Sequence, residues 1–135
     1  MSAAVPGPVT GIGGFFFRAA DPEALSAWYA RHLGIAAGGP WMQAAGPTIF
    51  APHPADTGYF GRPEQGWMLN LRVGDLDATL ATLAEAGIPA ETRPDEWDGP
   101  HGRFARIHDP EGNPIELWQP PAAEPVPVDP MPAQE

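Results

Sequence analysis

The chain has few side chains able to do chemistry, and their spacing restricts what that chemistry can be. His53, His101 and His108 carry imidazoles that suit zinc, nickel or iron. No pair of histidines stands at a ligand spacing such as HxxxH, and there is no cysteine, so thiolate sites and disulfides are excluded. His32 falls on the surface of a predicted helix. Tyr59 with Phe60, and Trp118, are aromatic groups that could stack on a flat ligand or clamp a cation, although most of the aromatics are expected to pack. Asn70 shares one strand face with Met68 and Arg72, where its amide could hydrogen-bond a ligand or satisfy buried backbone. Gly11, Gly13 and Gly14 precede a strand, do not join strand to helix, and are not followed by GK[ST], so they make no phosphate loop.

The elements that must position these groups can be read from apolar spacing and capping. Phenylalanines at 15, 16 and 17 predict a strand over 11–19. Asp21, Pro22 and Glu23 open a helix carrying Leu25, Trp28, Tyr29 and Leu33 on one stripe, which Gly34 closes. Short strands are expected at 41–44 and 48–51, weakened by Pro47, Pro52 and Pro54. After a linker at 62–66 come a strand at 67–73 and a helix capped by Asp75, with Leu76, Leu80 and Leu83 on one face and Gly87 at its end. A short strand at 90–93 and a polar loop at 95–102 follow. A hairpin then pairs 103–108 with 114–119 around the turn Asp109-Pro110-Glu111-Gly112-Asn113. Beyond Pro120 the proline-rich residues 121–135 predict an extended or disordered tail.

Two stretches echo each other: GFFFRAADPEALSAWYARHLGI at 14–35 and MLNLRVGDLDATLATLAEAGI at 68–88. Each is an apolar strand, an aspartate turn, a helix and a Gly-Ile exit, which indicates a duplicated module within one domain over 1–120. The first module runs from about 10 to 62 and the second from about 63 to 120.

This duplication, with the second copy ending HDPEGNPIELWQP, resembles the vicinal oxygen chelate superfamily: glyoxalase I, extradiol dioxygenases, and fosfomycin- and bleomycin-resistance proteins. The resemblance covers about residues 10–120. It implies an α+β fold of two βαβββ modules whose sheets join into a curved half-barrel around a cleft, and it implies a homodimer. In the metalloenzymes of that superfamily the first and last strands of each module send His, Gln or Glu side chains to one divalent ion. Carried onto this chain, the first-strand positions are Gly14, which has no side chain, and Met68, a soft thioether. The last strand of the second module keeps an acid, Glu116, while the first module offers only Thr48, Ile49 and Phe50.

One surviving ligand falls short of the three or so that a catalytic ion needs. The expectation is therefore a protein that binds a small organic molecule through aromatic stacking, Glu116, Asn70 and an arginine, either Arg18 or Arg72. Met68, Tyr59, Trp118 and His101 line the same cleft. Glu116 is the candidate catalytic group as well, since a carboxylate left unpaired in an apolar cleft has a raised pKa and can act as a general base. The alternative is a divalent-metal lyase, isomerase or dioxygenase using Glu116 with His53, His101 or His108. Seventeen acidic against seven basic residues, a formal net charge of −10, argue against nucleic acid and anionic membranes and are in keeping with a cationic ligand. The lack of cysteine and of a basic, apolar leader fits the cytoplasm.

Overall fold

The computed structural model describes residues 6–36 and 38–122, so most of the tail expected beyond Pro120 lies outside the described residues. The chain divides into two compact units, one made of its ends (up to Arg18 and from Ala122) and one from Ala19 to Pro121. In the first, Phe15 and Phe17 set their rings 5.4 Å apart at a tilt of 31°.

Within the second unit the helices begin as their capping residues dictate. Helix α1, Pro22–Leu33, starts where the Asp21 carboxylate accepts from the Ala24 N–H at 3.1 Å, and it ends at Gly34 in the left-handed region, φ 71°. Helix α2, Leu76–Glu85, starts where Asp75 accepts from the Ala78 N–H at 3.0 Å, and Gly87 follows it at φ 78°. Strand β1, Leu69–Arg72, lies parallel to β3, Pro114–Gln119, and β2, Arg103–His108, pairs antiparallel with β3 on its other side. A one-turn helix, α3, Pro94–Trp97, precedes β2. No helix is long and apolar enough to cross a membrane among the described residues.

Alternation sorts the sheet into two faces. Ala105, Ile107, Ile115 and Leu117 point one way and are fully buried, and α2 covers β2 and β3 with Leu76 and Leu83 at 1 % exposure. Burying such side chains stabilises the unit by about 1.5–3 kcal/mol each. Gln119 at the end of β3 accepts from the Leu76 N–H at 2.7 Å, so the helix start is fastened to the sheet it covers.

The turn of the hairpin is a clasp. Asp109, 4 % exposed, takes hydrogen bonds from the Tyr29 hydroxyl (2.7 Å), the Asn113 amide (2.8 Å) and the backbone N–H groups of Glu111 (2.9 Å) and Asn113 (3.0 Å). Burial, then the bond to Asp109, pushes the Tyr29 phenol well above its ordinary range. One residue pair further along, the Glu111 carboxylate accepts from the N–H groups of Ala20 (2.8 Å) and Asp21 (2.9 Å) at the start of α1. The Asp-Pro-Glu-Gly-Asn motif thus joins the helix of the first repeat to the hairpin of the second.

Three expectations are corrected. The segments 11–19, 41–44 and 48–51 carry no strand, and 90–93 contributes one bridge, Glu91 to Arg106. A strand exists only through a neighbouring ladder, and prolines 47, 52 and 54 withhold the donors that a ladder needs. The polar loop at 95–102 overlaps α3.

Asp109→Ala is expected to lower the unfolding free energy by about 3 kcal/mol, because buried donors lose their acceptor. Glu111→Gln, at a more exposed cap, should cost under about 1 kcal/mol. Urea denaturation of both variants checks the ranking. Gly102, at φ 120°, sits where an added Cβ would strike the Gln119 carbonyl. Gly102→Ala should therefore shift the urea midpoint down by the equivalent of roughly 1–3 kcal/mol.

Candidate functional site

The face of the sheet turned away from α2 carries the polar residues. The register sets Asn70 of β1 opposite Glu116 of β3, and Glu116 opposite Arg106 of β2, so the three form a row across the sheet. One pleat along, the same face presents Arg72, Trp118 and Phe104. Both oxygens of Glu116 are engaged: Oε1 accepts from the Asn70 amide at 2.7 Å, and Oε2 accepts a short bond from the Tyr59 hydroxyl. Burial, followed by the hydrogen bond and charge of Glu116, pushes the Tyr59 phenol up to about 12. Arg106 opposes this shift because its charge favours the phenolate.

Arg106 anchors a column of flat groups. Its guanidinium carbon lies 4.6 Å from the Tyr59 ring centroid and 5.6 Å from that of Trp97. Each ring has a further flat neighbour. His53 lies nearly parallel to Tyr59 at 6.0 Å and 11°, and Arg93 sits over Trp97 at 5.3 Å. Arg106 Nε and Nη2 are buried and reach no acceptor among the described residues. The two acids flanking Arg106 are committed elsewhere. Glu116 serves Tyr59 and Asn70, and Glu91, whose backbone exchanges bonds with Arg106, gives its carboxylate to Arg93 at 2.6 Å.

The other sequence candidates are more dispersed. Arg72 donates from Nη2 to the Ala44 carbonyl at 3.0 Å, and a Cβ on Gly46 would overlap its guanidinium, so it secures the 44–46 loop and leaves Glu116 to other partners. Arg18 is exposed and belongs to the terminal unit. Met68 is half-buried just before β1. Trp118 is 8 % exposed, donates from Nε1 to the His101 carbonyl at 2.7 Å and lies parallel to Phe104 at 6.3 Å and 5°, so its ring and its polar edge are both in use. His101 is exposed apart from that carbonyl contact, and His108 is exposed at the end of β2. Among the described residues no three His, Cys, Asp or Glu side chains come close enough together to hold a metal ion.

Sequence reasoning passed over Arg106 and Trp97. The signal for Arg106 was available: a loop of five residues, 109–113, sets 108 against 114 and hence 106 against 116. Nothing in the sequence shows that Trp97 would reach that guanidinium, because the approach depends on where α3 is seated.

The arrangement makes a titration prediction. Since the folded phenol of Tyr59 holds its proton more tightly than the unfolded one, its contribution to stability is complete below pH about 10 and is lost as pH rises to about 12. In an absorbance titration at about 295 nm, Tyr59 should stay protonated past the ordinary phenol range, and Glu116→Gln should lower its midpoint. An unchanged midpoint in Glu116→Gln would contradict the assigned pairing.

Comparison with known proteins gives the family. The model of the glyoxalase-like domain family matches residues 14–118. The crystal structure of TnmS3, an antibiotic binding protein from Streptomyces sp. CB03234, is similar at 29% identity and a TM-score of 0.55, over 83% of this chain and 97% of that one. A glyoxalase/bleomycin resistance protein from the same Streptomyces strain is 30% identical over 74% of this chain and 92% of that one, with a TM-score of 0.46. No curated protein matches the chain. With the match spanning both echoed segments, both long helices and nearly all of the closing hairpin, the chain belongs to the glyoxalase-like domain family of the vicinal oxygen chelate superfamily.

Proposed function

We propose that this protein works by holding a small, flat organic molecule against the Asn70–Glu116–Arg106 row, and that the superfamily's divalent-ion site has been given up. One observation carries the reading: the surviving acid of the ligand set, Glu116, has both oxygens satisfied by Tyr59 and Asn70. An ion would have to compete with both donors for the carboxylate's lone pairs. The sequence supports it too, with Met68 and Gly14 at the first-strand ligand positions. At the end of the row of stacked groups, the exposed His53 ring offers a flat surface for an aromatic ligand. The antibiotic-binding activity of the similar TnmS3 favours binding as an end in itself over turnover.

The curved, two-module half-barrel belongs to the same proposal, and so does a second copy of the chain. In the main unit Met42, Ile49 and Phe50 are 86%, 70% and 85% exposed, on extended segments with no ladder of their own. Such a cluster of apolar side chains is what a partner surface covers. Pairing with a second copy would give the expected strands at 41–44 and 48–51 their neighbours and close the cleft.

Two measurements test this reading. Elemental analysis of protein purified without chelator is expected to find no stoichiometric divalent metal; a full equivalent that is lost in Glu116→Ala would establish the metalloenzyme alternative. Light scattering behind gel filtration should report a dimer, and Phe50→Asp should shift it to monomer at micromolar concentration. A monomeric parent protein would remove the second copy from the proposal.

A further inference from the structure

We propose that the molecule held on this face carries a carboxylate, and that the Nε–Nη2 edge of Arg106 receives it. The inference rests on the binding reading above and adds the charge of the ligand. The Arg106 guanidinium lies close to two rings, Tyr59 and Trp97, and its N–H groups, which lie in its plane, donate only from its edges. That edge is the one whose two parallel N–H groups fit a carboxylate in bidentate fashion. Both of its donors are buried without an acceptor among the described residues, a costly arrangement for a charged group that binding would relieve.

The neighbouring acids sharpen the argument. Glu116 stands directly across from Arg106, yet it is turned to Tyr59 and Asn70. Glu91 lies on the other side and is turned to Arg93. Each of these acids is hydrogen-bonded to another donor, so neither fills the Nε–Nη2 edge of Arg106. The chain's net charge of −10 disfavours an anion at long range, but that repulsion is screened beyond roughly 8–10 Å at physiological salt. The acid group enters edge-on as Trp97 gives way. This residue ends a helix of one turn and is held through Arg93 by ion pairs to Glu91 (2.6 Å) and Glu96 (3.4 Å), all on exposed side chains and therefore weak.

The test is calorimetric titration of the full chain with 2-naphthoate, 2-naphthamide and 2-naphthylmethylammonium at neutral pH, three probes of one ring system and three charges. Naphthoate is expected to bind about 10-fold tighter than the amide or the ammonium, and in Arg106→Gln naphthoate should bind no more tightly than the amide. Equal affinity for all three probes would overturn the carboxylate assignment and leave the binding reading standing. Failure of every probe to bind would overturn both. A preference for naphthoate that survives Arg106→Gln would overturn the role of Arg106. Where that variant does not fold, the Arg106 Nε–H resonance of the parent protein, assigned by its loss in Arg106→Lys, should shift on adding naphthoate; an unmoved resonance overturns the proposal.

Discussion

One buried carboxylate sets the frame of the main unit. Asp109 is removed from water and stays so because Tyr29, Asn113 and two turn amides all point at it. Its partners come from α1 and from the hairpin turn, which are some eighty residues apart in sequence. Geometry at this point fixes where the hairpin begins, hence the register of β2 on β3, and hence which side chains meet across the sheet. A one-residue slip of β2 against β3 would send Arg106 into the apolar layer under α2, where an unpaired charge is strongly disfavoured.

The polar row shows how partner choice gives a site its character. Asn70, Glu116 and Arg106 are neighbours by register, and a simple expectation would pair acid with base. The chain instead gives the acid to two neutral donors, a phenol and an amide, and leaves the base against two rings. The Nε and Nη2 groups of Arg106 are thereby buried with no hydrogen-bond partner among the described residues. An acid restrained in this way is poorly suited to seizing an ion.

Much of the fold was legible because local rules and global packing agree there. Asp21 and Asp75 cap helices, glycines end them, and the five-residue turn sets the hairpin, all from short-range chemistry. The strands expected at 11–19, 41–44 and 48–51 were not realised, since apolar content alone does not supply a neighbour to bond with. The candidate site was half legible. Glu116, Asn70 and Tyr59 were singled out and do meet, but Tyr59 was read as a stacking group and instead donates its hydroxyl to Glu116, 57 residues away. Choices of that kind depend on where a loop comes to rest, and no spacing encodes it.

The strand order β1-β3-β2 leaves the sheet with two unlike margins. On the β2 side, Glu91 already exchanges both backbone bonds with Arg106 in mid-strand, so that margin is stoppered. On the β1 side, Leu69–Arg72 has no such cover among the described residues. Growth of this sheet, whether orderly or by misassociation, is therefore directional: a newcomer strand has to enter alongside β1, next to Asn70 and the polar row.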